Sequence, residues 1–597
     1  MELKAIKTEL LEKIDSPKDL KKLKVEQLKE LSDEIRRVLL NTCSVNGGHI
    51  GANLGVVELS VALHYVFNSP EDKFLFDTSH QSYTHKILTG RRKYFHTICI
   101  PKGIPRFTVR GETEHDHWSA GHASTALSGA MGMAEARKTN KKEYEVIAIT
   151  GDGALGGGMC YEALNNIGYN QTNMIIILND NKMSISSNVG AMYKHLKKLS
   201  MITDENRGRR EVGTIFEKMG IQYYGPFDGH NIEKLVEELE RIKDLSGPRL
   251  IHVLTIKGKG MDYMENDKAN WHEHSAFDIE TGEPTKKSPV SIEKIAVEDL
   301  IKLAEKDSKV VAITAAMPAG TGLLKFGEKF HERFYDVGIA EEHAVTFAAG
   351  LAAEETKPFV VIYSPFLQRG FDQIAHDVAL QKLPVRFMIP KASITGDGPT
   401  QGGILDFSYL RIIPNMVVMA PKDENELGNM VVTAYEYNDG PISVRYPKGT
   451  PIGVEIKESK ALEIGKGEMI RKGKDISLIS IGFMLKETNE AAEILKKEGI
   501  EAEVINARFV KPLDEKMICD SLKKTGKGIT IEENILPGGF GSAVLEMLED
   551  KGLNEVELHR IGAPDAYIDY DAPAEIKKSF GMDSKSIAKK AKKMLGK

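Results

Sequence analysis

Cysteine is scarce. Four occur in 597 residues, Cys43, Cys99, Cys160 and Cys519, and no two stand at C-x-x-C spacing. That excludes a disulfide scaffold and a cysteine-built zinc site, and predicts free, buried thiols in a reducing compartment. No apolar run approaches the length needed to cross a bilayer. The first residues, MELKAIKTELLEKI, lack a long apolar core and a small-residue cleavage site, so they do not read as a secretory signal and a cytoplasmic protein is expected. An excess of basic charge is missing as well: 80 Lys and Arg face 86 Asp and Glu, a net charge of −6. A general nucleic-acid binder would show the opposite balance. What is left is the composition of an ordinary soluble protein, long enough for several domains with sizeable cores.

One stretch organises the rest: EVIAITGDGALGGGMCYEALNNIGYNQTNMIIILNDNKM, residues 145–183. Residues 146–150 are a short apolar run bounded by glycine and predict a buried strand. Gly151-Asp152-Gly153 predicts a tight turn. Met159, Ala163, Leu164 and Ile167 share one face at helical spacing, so 159–168 predicts a helix. Residues 174–178 predict a second strand, closed by Asn179-Asp180-Asn181. This is a β-α-β unit with a polar group at the carboxyl end of each strand, where open α/β sheets bind ligands. Gly151 to Gly156 also fits G-x-G-x-x-G, but there Asp152 would set a carboxylate against a pyrophosphate. A divalent cation between the two removes the conflict. Asp152 then supplies one hard oxygen and the amide oxygen of Asn181 another, as a small cation such as Mg²⁺ requires. A glycine turn with a solvated aspartate is the plain alternative.

The remaining chain continues the α/β pattern. Residues 21–40 predict an amphipathic surface helix. Gly47-Gly48-His49-Ile50-Gly51 interrupts it with a glycine-rich loop, and a lone loop histidine is usually solvated. A helix at 58–67 and a strand at 74–77 lead to His80 and Gln81. His115, His117 and His122 gather around Trp118 without any zinc spacing, and His115 and His117 read as surface residues. Residues 194–210 are polar and basic; 211–219 predict a helix, 221–224 and 250–256 strands, 231–244 a charged helix. KGKG at 257–260 either holds phosphate on backbone N–H groups and lysines or is a solvated turn. The polar, proline-bearing 279–292 predicts a linker. Strands follow at 309–315, 334–337 and 359–363, with a helix at 342–354. From about 456, strands are expected at 476–481, 503–507 and 528–531, the last closed by Glu532-Glu533-Asn534. That third region carries no nucleotide fingerprint and reads as a packing and dimer-supporting domain. The expectation is three α/β domains with mostly parallel sheets, 1–285, 290–455 and 456–597.

G-D-G followed after about thirty residues by N-D-N resembles the metal-diphosphate motif of thiamine diphosphate enzymes. Over nearly the whole chain the sequence is most similar to the 1-deoxy-D-xylulose-5-phosphate synthases, relatives of the transketolases. The resemblance is carried by Gly47-Gly48-His49, by Asp77-Thr78-Ser79-His80-Gln81, by HKILTGRR (85–92), by Gly121-His122-Ala123-Ser124-Thr125 and by MSISSNVGA (183–191). Ile339-Ala340-Glu341-Glu342-His343, YSPFLQRGFDQIAHDVALQKLP (363–384) and SVRYP (443–447) extend it.

The resemblance implies a transketolase-like fold that binds thiamine diphosphate. It places His80, Gly121, His122, Ala123, Asp152, Gly153, Ala154, Asn181 and Met261 around the cofactor, with Phe366 stacked on its pyrimidine. It implies Mg²⁺ on Asp152, Asn181 and Met183. Glu341 would hydrogen-bond the pyrimidine ring nitrogen, which requires a protonated carboxyl and so an apolar site that raises its pKa. His49 and His272 would carry protons. Tyr363, Arg369, Lys391, Asp397 and Arg445 would meet the acceptor substrate. The implied reaction is condensation of pyruvate with glyceraldehyde 3-phosphate, with decarboxylation, to 1-deoxy-D-xylulose 5-phosphate, a precursor of isoprenoids, thiamine and pyridoxal. The implied catalytic unit is a homodimer, with no nucleic-acid or membrane partner. Three positions depart from the family pattern: Met261 replaces a tyrosine, Lys391 an arginine and Gln401 a histidine. Met261 stands beside the cofactor, whereas Lys391 and Gln401 sit on the acceptor side and leave cofactor activation intact; together they make a transketolase-type ketol transfer, or a relative using another aldehyde, the alternative enzyme reading. A non-catalytic sensor or scaffold on the same fold is a third, against which Asp152, Asn181 and Glu341 argue.

Overall fold

Apolar runs flanked by glycine and polar residues form the centre of the first half of the chain. In the computed structural model, residues 3, 6–184, 188–201, 214–286 and 290–597 are described. Five parallel strands are β1 (Lys73–Phe76), β2 (Val146–Gly151), β3 (Met174–Asp180), β4 (Gln222–Asp228) and β5 (Pro248–Leu254). They pair in the order β1-β2-β3-β5-β4. Ile147, Ile149, Ile175 and Ile177 feed one core, whereas Val146, Ala148, Met174 and Ile176 feed another. A parallel sheet covered on both faces requires such uninterrupted apolar strands. The sheet belongs to a compact unit made of Met1–Lys287 and Gly338–Ala340.

The second compact unit is Ser288–Val337 with Glu341–Lys597. Its strands are β6 (Val310–Thr314), β7 (Phe334–Asp336), β8 (Lys357–Val361), β9 (Arg386–Ile389), β10 (Val417–Met419) and β11 (Ile442–Arg445). Then come β12 (Glu468–Arg471), β13 (Ile476–Ser480), β14 (Ala502–Asn506), β15 (Phe509–Lys511), β16 (Lys527–Ile535) and β17 (Glu557–Ala563). Among the described residues these make a seven-stranded sheet, β15-β10-β11-β9-β8-β6-β7, and a five-stranded one, β12-β14-β13-β16-β17. Pairing is parallel except where β15 meets β10 and β12 meets β14. The mostly parallel α/β architecture is therefore as expected.

Several details differ from expectation. The helix foreseen at 21–40 is Leu28–Asn46, and Leu28, Leu31, Ile35, Leu39 and Cys43 on it are buried. It ends where Gly47 turns to φ +75°, a conformation that only glycine adopts without strain. Glu532, Glu533 and Asn534 lie inside β16, buried, rather than past its end. Burial pushes the Glu532 carboxyl up to about 7 although it accepts N–H bonds from Phe540 and Gly541. His115 and His117 are not surface residues. His115 is buried, with Nδ1 2.8 Å from Ser69 Oγ, and half-buried His117 lies 3.0 Å from the Pro70 carbonyl. All four cysteines are buried free thiols, as their spacing suggested. Of the basic stretch 194–210, the helix Gly190–Leu199 is described and 202–213 lies outside the described residues, as does part of the helix foreseen at 211–219.

Around HKILTGRR runs a buried charged network. His64 Nε2 and His85 Nδ1 are 3.0 Å apart, and His85 Nε2 lies 3.2 Å from Asp116 Oδ1. Arg91 reaches Asp116 at 2.7 Å and Glu112 at 2.8 Å, and the fully buried Lys86 reaches Glu112 at 2.5 Å. Burial lowers the His85 imidazole to about 4. Burial opposes ionisation of Asp116 too, but the His85 contact and the Arg91 guanidinium hold its carboxyl well below the usual range. Both shifts have one consequence. Below about pH 6.5 the unfolded chain takes up the His85 proton first, so stability falls as pH drops toward 4; the Asp116 contribution, present above its unfolded pKa, is lost at still lower pH. One such histidine accounts for roughly 1.5 kcal/mol between pH 6.5 and 5. The unfolding free energy from urea titration should fall by about that over the range, less steeply in His85→Gln; a flat profile contradicts the assignment.

Candidate active site

The strand order β1-β2-β3-β5 sets four loops side by side at the carboxyl edge of the first sheet, where such sheets bind ligands. Asp152 follows β2. Its Oδ2 accepts the Asn188 amide at 2.7 Å, while Oδ1 is buried and has no hydrogen-bond partner among the described residues. Burial, and next the neighbouring Asp180 carboxyl, push the Asp152 carboxyl well above its usual range. Asp180, the last residue of β3, is kept ionised against burial by His252, 3.0 Å away. The other nitrogen of His252 is 2.8 Å from the Tyr223 hydroxyl. Asn181 Oδ1 accepts the Met183 N–H at 3.0 Å, closing a one-turn loop. A Cβ on Gly153 would stand 2.8 Å from Ser184 Cβ, so the two loops touch backbone to backbone. Two buried carboxyls, one with an orphaned oxygen, form a donor set short of positive charge. That set fits a hard divalent cation. No three His, Cys, Asp or Glu side chains among the described residues cluster to hold a metal alone, so amide and backbone oxygens must complete it, as Mg²⁺ accepts.

Beside these loops three histidines pack ring against ring. His49 and His80, and His49 and His272, have centroids 5.5 Å apart; His80 and His272 are 5.0 Å apart. Burial lowers His80 and His272 well below the normal range, helped at both by His49 and Lys257 and at His272 also by His80, so both are neutral at pH 7. Asn53, fully buried, ties their loops together: its amide donates to the His49 carbonyl at 2.8 Å and the His80 carbonyl at 2.7 Å, and its oxygen accepts the Tyr83 N–H at 2.9 Å. Lys257, the first residue of KGKG, is buried, 3.2 Å from His272 Nδ1 and 3.1 Å from the Ser184 carbonyl. Burial brings it down to about 7 against the pull of Asp152. Asp77 after β1 accepts the Ser124 N–H at 2.7 Å, and Ser124 Oγ donates to the Ala154 carbonyl at 2.8 Å, which joins the Gly121-His122-Ala123 loop to the Gly153-Ala154 turn. Met261 lies at the head of the short helix Asp262–Asn266, packed on the first core. Asn53, Asn188, Asp180 and His252 were not singled out by sequence; Asp77 stood there only as part of the family resemblance, and Lys257 only within KGKG as one of two readings of that loop. His252, alone and polar in the apolar run RLIHVL, and Asp180, inside the N-D-N cluster, were the readable signals.

In the second unit Glu341 is the first residue of the helix Glu341–Ala353 and is 3% exposed. Burial raises its carboxyl, with Arg369 opposing, and Oε2 has no hydrogen-bond partner. Arg369, expected at the acceptor phosphate, stands with Nη1 3.6 Å from that oxygen. Tyr363 and Phe366 stack at 6.1 Å, and the Tyr363 hydroxyl donates to the Gly320 carbonyl at 2.9 Å. Lys391, in a left-handed conformation, pairs with Asp397 at 2.9 Å and lies 3.4 Å from Gln401 Oε1. Arg445, at the end of β11, grips both oxygens of buried Asp406 at 2.7 and 3.0 Å and donates to the Gly403 and Glu533 carbonyls. Among the expected acceptor residues, Lys391 stands beside Tyr363 and Asp397, and Arg369 and Arg445 each face a carboxylate.

Residues 11–212 and 200–255 match the family described as 1-deoxy-D-xylulose-5-phosphate synthase. Residues 288–451 match the transketolase pyrimidine binding domain and 465–587 the transketolase C-terminal domain. The 1-deoxy-D-xylulose-5-phosphate synthase of Desulforudis audaxviator is 46% identical over 98% of this chain and 97% of its own length. The chain belongs to the 1-deoxy-D-xylulose-5-phosphate synthase family. A second member, 1-deoxy-D-xylulose-5-phosphate synthase 1 of Geobacter sulfurreducens, is 47% identical over 97% of this chain and 96% of its own length. Among solved structures, an inactive split-gene transketolase β4 tetramer aligns with 52% of this chain and 99% of its own at 28% identity and a TM-score of 0.48. This synthase is a transferase of the transketolase type, and the alternative of a general ketol transfer is not favoured.

Proposed function

We propose that the chain condenses pyruvate with glyceraldehyde 3-phosphate, releasing carbon dioxide and forming 1-deoxy-D-xylulose 5-phosphate, on the residues assembled above. The observation that carries the site assignment is the buried Asp152 carboxyl with an orphaned oxygen beside Asp180, a set that a bound cation satisfies. Asp152, the Asn181 amide oxygen and the Met183 backbone carbonyl would hold Mg²⁺. His80, the Gly121–Ala123 and Gly153–Ala154 backbones and Lys257 would receive the diphosphate of thiamine diphosphate, with Met261 beside the cofactor and, as the resemblance implies, Phe366 for its pyrimidine. When bound, the cofactor supplies the nucleophilic carbon and the electron sink for decarboxylation.

The chain's own groups do the rest. Burial raises the Glu341 carboxyl, which favours the protonated form that would donate a hydrogen bond to the pyrimidine nitrogen. His49 and His272 exchange protons with the substrate oxygens, and the neutral His272 ring both donates and accepts. Tyr363, Lys391 and Arg445 receive the acceptor phosphate, with Asp397 and Asp406 orienting the two cations. Arg369 sets the polarity around Glu341. In this reading residues 1–285 hold the diphosphate and metal, 290–455 the pyrimidine, and 456–597 form the C-terminal domain. The reading includes a cytoplasmic homodimer, supported by family likeness alone; among the described residues no helix is long and apolar enough to cross a membrane.

Purified protein supplied with thiamine diphosphate, Mg²⁺, 1-¹³C-pyruvate and glyceraldehyde 3-phosphate should release labelled carbon dioxide in step with aldehyde consumption. Pyruvate left intact under these conditions overturns the reading.

A further inference from the structure

Of four cations in the second unit, Arg369, Lys391, Arg445 and Lys448, the first three already face a carboxylate. Arg445 is forked onto Asp406, Lys391 is 2.9 Å from Asp397, and Arg369 is 3.6 Å from Glu341. Each pair presents little net charge to an incoming anion. The fourth is Lys448, three residues beyond Arg445 in SVRYPK. Its ammonium lies 5.7 Å from the centre of the Tyr363 ring, the same distance as that of Lys391. It is exposed, and among the described residues it makes no side-chain hydrogen bond and has no carboxylate oxygen within 4.0 Å. Glu293, an acid that feels its charge, is buried, and burial raises its carboxyl. Tyr363 itself is almost wholly buried and fixed through its hydroxyl to Gly320.

A phosphomonoester carries between one and two negative charges near neutrality. Its capture needs net positive charge as well as hydrogen-bond donors, and an uncompensated ammonium at the mouth both attracts and steers it. Lys391 lacks the two-pronged geometry of arginine and is tied to Asp397. We propose that Lys448 is the residue that makes this enzyme prefer a phosphorylated aldehyde over the free aldehyde, by meeting the acceptor phosphate beside Tyr363. The assignment rests on the acceptor site described under the proposed function.

The test compares glyceraldehyde 3-phosphate with D-glyceraldehyde, each with pyruvate. In Lys448→Met the ratio of kcat/KM for the phosphorylated over the free aldehyde should fall about tenfold or more, through a raised KM for glyceraldehyde 3-phosphate with kcat nearly held. Lys448→Arg should keep most of the ratio. Glycerol 3-phosphate, a non-reacting probe, should bind the Met variant at least fivefold more weakly by calorimetry. An unaltered ratio, or equal losses on both aldehydes, overturns the proposal while leaving the function intact. Absence of carbon dioxide release by the wild type with either aldehyde would instead remove the proposed function and this inference with it.

Discussion

Glu341→Ala should lower turnover of pyruvate by about a thousandfold while leaving the protein folded. A positioned acid contributes roughly 10²–10⁴ in rate, and Glu341 is the buried carboxyl at the head of its helix whose Oε2 has no hydrogen-bond partner. The same lack of a partner makes its removal cheap. A buried carboxyl that burial holds toward its neutral form contributes little to folding, and its contact with Arg369 is a loose 3.6 Å. The urea midpoint should therefore shift by no more than about 1 kcal/mol. Carbon dioxide release and equilibrium unfolding measured on one preparation check both halves. Turnover within about threefold of wild type would mean that another group polarises the pyrimidine.

Asp152→Asn should produce the second large effect, with opposite signs in the presence and absence of cofactor. Asparagine keeps the shape and the contact to Asn188 but removes the charge that a cation needs. Thiamine diphosphate binding in Mg²⁺ should weaken at least a hundredfold, so the stabilisation conferred by ligand should shrink by about 2.7 kcal/mol at fixed ligand concentration. Without cofactor the variant should be as stable as wild type or more so, because the clash between Asp152 and Asp180 is gone. Thermal unfolding with and without thiamine diphosphate and Mg²⁺ reads both. Retention of full ligand-dependent stabilisation would contradict the role given to Asp152.

How much of this was readable beforehand depends on length and on partners. β2, β3 and β5 announce themselves because strands of six or seven residues buried on both faces must be continuously apolar. The polar residues at their ends stand out against those runs, which is why Asp152 and Asn181 could be named. Strands β9, β10 and β11 have three or four residues each, too few to show a period, and β15 reaches the seven-stranded sheet from a distant part of the chain. Glu532 and Asn534 read as lying past the end of the strand because their polarity is satisfied within the fold, by the N-terminus of the helix Phe540–Asp550 and by Phe407 and Ser408. His115 and His117 misled for the same reason. Asn53, Asp77 and Lys257 act through contacts with residues 27 to 73 positions away along the chain, which local pattern does not carry. Arg369 and Arg445 were visible as cations, but the carboxylates that neutralise them were not, and that neutralisation is what directs attention to Lys448.

The central claim is that a divalent cation sits between the strand-end loops of the first sheet on Asp152 and Asn181. Crystals grown with thiamine diphosphate and Mn²⁺ in place of Mg²⁺ test it by anomalous scattering. The account predicts a single strong peak about 2.1–2.3 Å from an Asp152 carboxylate oxygen, the Asn181 amide oxygen and the Met183 carbonyl, in contact with the diphosphate. Cofactor density with its metal on other residues, and Asp152 still bonded only to Asn188, would contradict it.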